Sequence, residues 1–190
     1  MHRYADESLN KAAQTYTEEL IARHVSGRLK VAPEHTQDEV LKQMRKPSFS
    51  QFGQFKKIFD KVNRQYGLNQ QLIPYFISSH PGCTEADMAE LAVIPKSLHF
   101  QLEQVQDFTP TPMTLATEMY YTGYHPYTLE KVYTARSKEQ KLAQRQFFFW
   151  YKPESRRQIM QVLQKMGRKD LIEKLFGQRG DMNPAPRKRR

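Results

Sequence analysis

The stretch LIPYFISSHPGCTEADM, Leu72 to Met88, decides the fold. Large apolar residues run from Leu72 to Ile77, give way to Ser78-Ser79-His80, turn at Pro81-Gly82 and resume at Thr84-Glu85-Ala86-Asp87. An apolar run of this length reads as a strand covered on both faces, as in parallel sheets. Thr84 with Asp87 three residues on is a capping pair. A helix is therefore expected over Met88, Leu91 and Ala92, with Pro95 interrupting it or ending it early. A buried strand handed through a tight turn to a capped helix is half of a βαβ unit.

Upstream, residues 1–15 are polar and weakly patterned, expected as a loop or a frayed helix start. Leu20, Ile21 and Val25 give one apolar helical face over Tyr16 to Val25, and Gly27 stands where a C-terminal cap belongs. Leu29-Lys30-Val31-Ala32 reads as a short strand ended by Pro33. Thr36-Gln37-Asp38-Glu39 matches a capping box, predicting a helix from Gln37 to about Arg45. Phe52, Phe55, Ile58, Phe59, Val62 and Tyr66 then recur at helical spacing up to Gly67, a core stripe rather than a ligand platform.

Downstream, a third strand is expected over Glu103 to Phe108, closed by Thr109-Pro110-Thr111-Pro112. Helical spacing follows over Leu115–Tyr121, Lys138–Tyr151, Glu154–Met166 and Lys169–Phe176. Strands separated by crossovers of a dozen or more residues predict a parallel α/β sheet, here of three strands.

Composition bounds the function. The chain has 190 residues, with 30 Lys and Arg against 20 Asp and Glu, a net charge of +10 that favours polyanions or acidic partners. Its single cysteine, Cys83, cannot form an internal disulfide or a cysteine-only metal or cluster site. No apolar run approaches a membrane span, and MHRYADESLN lacks the apolar core of a secretory signal. The expectation is a cytoplasmic protein without a membrane partner.

In parallel α/β folds ligands bind where strands end and helices begin. All three expected strands end in polar, proline-marked turns: Ala32-Pro33-Glu34-His35, Ser79-His80-Pro81-Gly82 and Thr109-Pro110-Thr111-Pro112. Two of these turns open helices whose free N–H groups can hold an anion, although ordinary caps look the same. Ser79 beside His80 suggests a nucleophile and base, but adjacent strand residues face opposite ways and there is no Gly-x-Ser-x-Gly elbow. The histidines show no zinc spacing, and no Walker loop is present. Cys83, near a helix start, could carry a lowered thiol pKa, or be incidental. Phe147-Phe148-Phe149-Trp150-Tyr151 lies among Arg145, Lys152, Arg156 and Arg157, but five consecutive aromatics cannot all face solvent, so packing is expected.

Taken in order, these motifs resemble the second half of a radical S-adenosylmethionine (SAM) barrel of the YgiQ type. The series is Val25-Ser26-Gly27, Leu29 to Thr36, Met44-Arg45-Lys46-Pro47, Leu72 to Gly82, Asp87-Met88, Gln104-Val105-Gln106, Thr111-Pro112-Met113 and Met119 to Gly123, with Arg3-Tyr4 also matching. The resemblance implies the C-terminal half of a partial (β/α) barrel over residues 1–113 and a helical extension over 114–177, while the cation run Arg187-Lys188-Arg189-Arg190 gives the expectation of a disordered basic tail over 178–190. It further implies that Glu34, His35 and Thr36 line the methionine end of SAM and that Lys46 pairs with its carboxylate. Ile77 and Ser78 would pass the adenine, and Thr111 would help close that pocket. The family's 4Fe-4S cluster needs three cysteines that this chain lacks. The implied partner is therefore a missing N-terminal barrel half, in cis or in trans, and the exposed first strand could also pair two copies. The alternative is a basic RNA-binding module without catalysis.

Overall fold

A computed structural model describes residues 7–98, 100, 102 and 105–177, with side chains described from Lys11 onward. Arg3-Tyr4, Glu103, Gln104 and the expected tail at 178–190 lie outside the described residues. The chain divides into one compact unit up to Phe76 and a second from Ile77 onward.

Three parallel strands form one sheet in the order β1-β2-β3: β1 Arg28–Glu34, β2 Gln71–Ser78 and β3 Val105–Asp107. β1 pairs in register from Arg28↔Gln71 to Val31↔Pro74, and resumes at Glu34↔Phe76. Three residue steps on β1 thus face two on β2, a bulge at Ala32-Pro33. Pro33 and Pro74 both adjoin it, which is where a residue without a backbone N–H disturbs the ladder least.

β2 alternates rather than burying both faces. Leu72, Pro74, Phe76 and Ser78 are buried, whereas Ile73, Tyr75 and Ile77 are half-exposed. The expected two-sided burial is thus corrected: one face is packed and the other is only partly covered.

In the first unit, α1 spans Glu7–Glu19 and runs into a π-helical turn at Leu20–His24. The helix therefore begins within residues 1–15, in line with the helix-start alternative there rather than the loop. Gln70 Nε2, 49 and 45 residues on, donates to Ile21 O and Val25 O, each at 2.9 Å, and so satisfies carbonyls at the end of this turn. α2 is Asp38–Gln43 and α3 is Ser50–Gln65, whose Phe52, Phe59 and Val62 join Ile21, Val40 and Leu41 in this unit's core.

In the second unit, α4 is Glu85–Ser97, α5 Leu115–Thr122, α6 Lys138–Arg145, α7 Pro153–Lys165 and α8 Lys169–Phe176. Pro95 neither breaks nor ends α4 early, because so close to the C-terminus it disturbs only the last turn. After α6 the chain tightens into a 3₁₀ turn at Gln146–Phe149. Phe147 and Phe148 are fully buried there, so the aromatic run packs. No described helix is long and apolar enough to cross a membrane.

Candidate functional site

The first polar cluster forms where β1 ends. Glu34 has a left-handed backbone (φ +64°), which stops the strand and redirects the chain. His35 is fully buried, and its Nδ1 accepts from the Gln37 N–H at 3.0 Å. Gln37 is the N-cap of α2 and makes no side-chain cap bond, so the expected Thr36–Glu39 capping box does not form. The Thr36 hydroxyl is left buried without a hydrogen-bond partner.

At the other end of α2 the chain closes in a Schellman motif. Arg45 N donates to Lys42 O, Lys46 N donates to Leu41 O at 2.9 Å, and Arg45 takes the left-handed φ of +57°. This turn places Lys46 Nζ 3.0 Å from Glu34 Oε1. Lys46 also lines a groove of about 220 Å³, together with Val31, Pro33, Phe49, Phe52 and Phe55. That is below the roughly 300–1,000 Å³ of sites that enclose a drug-sized ligand, so the groove holds a fragment at most.

The second cluster lies at the end of β2. Ser78 Oγ donates to Asp107 Oδ1 at 2.6 Å, and Arg145 Nη1 donates to Asp107 Oδ2 at 3.0 Å. Phe108 N donates to Ser78 O, extending the ladder to β3. Ser79 is fully buried, has φ +62°, and its hydroxyl has no hydrogen-bond partner. Its backbone N–H donates to Gln144 Oε1 at 2.8 Å, while Gln144 Nε2 donates to Cys83 O at 2.7 Å. One buried amide from α6 thus holds both sides of the turn. The rest is local: Cys83 N bonds His80 O, and Thr84 and Asp87 form the expected reciprocal cap.

The structure joins Glu34 to Lys46 and sets His35 and Thr36 beside them in sequence as buried or half-buried groups. Ile77 and Ser78 end β2, while Thr111 is exposed in the loop after β3, where its carbonyl accepts from the hydroxyls of Thr114 and Thr117. Since Ser79 Oγ has no partner, His80 does not serve it as a base. Cys83 is fully buried and burial pushes its thiol well above the ordinary value, which overturns the lowered-pKa reading. Sequence reasoning missed Gln144 and Asp107, and named Ser79 and Arg145 only in other roles. Nothing local marks a partner 65 residues away, as with Ser79 and Gln144.

Residues 103–180 match the family model described as a domain of unknown function (DUF3362). The chain is 66% identical over 94% of its length to a UPF0313 protein of Bacteroides thetaiotaomicron, and 66% over 93% to one of Porphyromonas gingivalis. A UPF0313 protein of Clostridium perfringens is 46% identical over 83% of the chain. The chain spans less than a third of these curated relatives, 29%, 28% and 24% of their respective lengths.

Proposed function

We propose that this chain is part of a protein of the UPF0313 kind and forms a segment of a radical SAM-type partial barrel, supplying contacts to the methionine end of S-adenosylmethionine. The observation that carries this reading is the Glu34–Lys46 pair at 3.0 Å, at the carboxyl end of a parallel strand. An α-amino acid end group is a zwitterion. A carboxylate and an ammonium side by side offer it one partner for each charge, provided the pair exchanges its mutual contact for the ligand's. Such an exchange is cheap, since Lys46 and Glu34 side chains are 43% and 19% exposed and pairs of this kind contribute at most about 1 kcal/mol.

Thr36 supports the same reading, because a buried hydroxyl without a partner is uncommon unless a ligand or water completes it. When bound, S-adenosylmethionine would supply an adenosyl group for hydrogen abstraction from a substrate. The residues of this chain would bind and orient its charged end and exclude water through Pro33 and Phe52.

The iron-sulfur part of such chemistry does not fit the residues present. The one cysteine is buried with a raised thiol, and among the described residues no group of three or more His, Cys, Asp or Glu could hold a metal. In this proposal the cluster thiolates come from the additional length of the relatives. Equilibrium dialysis of the 190-residue chain against radiolabelled S-adenosylmethionine tests the reading. Saturable binding is expected, weakened about tenfold or more by E34Q and by K46A, the scale of one lost charge-assisted contact. Absence of binding at millimolar ligand, or binding indifferent to both substitutions, would refute it.

A further inference from the structure

Exposed large apolar residues are concentrated in one short stretch of the second unit. Tyr121, Tyr127 and Leu129 are 68%, 77% and 72% exposed, and Tyr124 and Tyr133 are also open to solvent. A patch of this kind on a loop marks an interaction surface more often than a packing accident.

The stretch is held in a defined shape. Tyr124 pairs with Lys131 in an antiparallel bridge, Val132 N donates to Gly123 O at 2.8 Å and His125 N donates to Glu130 O at 2.9 Å. His125 Nδ1 accepts from the N–H groups of Tyr127 and Thr128. Arg136 Nη2 donates to Tyr121 O at 2.8 Å, tying the far strand back to the end of α5. Gly123 takes a left-handed backbone (φ +76°), so a residue with a side chain is strained there. The tyrosines are therefore carried on a pre-ordered frame, which lowers the entropy lost on binding.

Their surroundings are cationic. Between Tyr121 and Lys141 the sequence has four cations, Lys131, Arg136, Lys138 and Lys141, against two anions, Glu130 and Glu139. Lys131 sits directly opposite Tyr124 across the bridge, and opposed residues share a face. Lys141 Nζ lies 5.1 Å from the centre of the Tyr120 ring, which in turn stands edge-on to Tyr121 at 5.3 Å.

We propose that the tyrosine-bearing loop from Tyr121 to Tyr133 is a docking surface for single-stranded RNA. Exposed rings stack on unpaired bases and neighbouring cations meet the phosphates, the combination that single-strand binders use. A protein partner is the less favoured occupant, because lysine is depleted at protein interfaces and this stretch carries Lys131, Lys138 and Lys141. RNA is favoured over DNA because the exposed Glu130 carboxylate, which accepts from the Thr128 hydroxyl at 3.1 Å, can also accept from a ribose 2′-hydroxyl, and because RNA presents unpaired bases in loops. This surface stands independently of the S-adenosylmethionine reading.

The test is fluorescence anisotropy of a labelled oligouridylate of about 12 nucleotides, the size such surfaces cover, titrated with the intact chain at low and moderate salt. Expected are binding that weakens with salt, a loss of about tenfold or more in Y121A/Y127A, and weaker binding of oligothymidylate of the same length. K131A is expected to lower the salt slope by about one. Circular dichroism of Y121A/Y127A should match the parent, since both rings are exposed. No binding at low salt, equal affinity of the double variant, or equal affinity for the DNA strand would overturn the proposal. So would a concentration-dependent dimer abolished by Y121A/Y127A without RNA binding, which would assign the face to a second copy.

Discussion

Gln144 is the residue whose removal tests the architecture of the second unit most directly. Its amide is fully buried and makes two bonds, accepting from Ser79 N at 2.8 Å and donating to Cys83 O at 2.7 Å. Gln144→Leu keeps the volume but leaves a backbone donor and a backbone acceptor buried without partners. Each orphan costs about 1–3 kcal/mol, so Q144L should destabilise the unit by about 2–6 kcal/mol. The single tryptophan, Trp150, lies in this unit, so its fluorescence in a urea titration follows this unit's unfolding. A loss below about 1 kcal/mol would refute the reasoning, because it would mean that water or a small shift replaces both bonds. Gln144→Glu refines the test. Its carboxylate can still accept from Ser79 N, but facing Cys83 O it must carry a proton to donate. A carboxyl whose folded pKa is raised binds more protons folded than unfolded. Q144E stability should therefore be highest at acid pH and fall as pH rises above the unfolded value of about 4.3. A pH-independent Q144E would contradict the assigned bond to Cys83.

Other outcomes follow from the same structure. Ser79→Gly removes an L-residue from a left-handed position (φ +62°) together with an unbonded buried hydroxyl. After the entropy of glycine is charged against it, S79G should gain about 0.5–2 kcal/mol, and a measured loss in the same urea assay would show that the serine is not strained. Cys83, buried and with its thiol raised, should resist a disulfide reagent in the native chain and react with one equivalent in denaturant; rapid native labelling would contradict its burial. Asp170 is held at about 2, against an ordinary 3.8, chiefly by the Arg168 guanidinium bonded to both its oxygens. Its stabilising contribution is complete above 3.8 and disappears as pH falls through about 2, so the wild-type advantage over D170N should shrink across that interval. An advantage that stays constant down to strong acid would place the stabilisation elsewhere.

How much was legible in the sequence depended on how far apart the partners are. The Thr84–Asp87 cap and the helix Lys169–Phe176 were readable because every group they need lies within a turn or two. The Thr36–Glu39 pattern looked equally good and failed: α2 starts one residue later, with Gln37 as an N-cap that makes no side-chain cap bond, and the Thr36 hydroxyl stays unpaired. Burial on both faces of β2 was overread: an apolar strand stays the same string whether one or two layers cover it. The candidate site was only half visible. Resemblance pointed to Glu34 and Lys46, but their contact depends on the left-handed turn at Arg45, a conformation that an arginine does not advertise. The exposed tyrosines from Tyr121 to Tyr133 were unremarked, since tyrosine serves core and surface alike and only solvent exposure separates the two.

The sequence by itself determined the alternation of strands and helices, the strand-end turns and the Thr84–Asp87 cap, because each is set by periodicities and bonds spanning a few residues; the length of the crossovers pointed to parallel pairing. Only the tertiary structure decided that Asp107 joins Ser78 to Arg145, that Gln144 grips Ser79 and Cys83, and that Thr36 and Ser79 keep buried hydroxyls unpaired. Those meetings are set by where the chain returns after 29 to 65 residues, and side-chain hydrogen bonds over such separations leave no periodic trace.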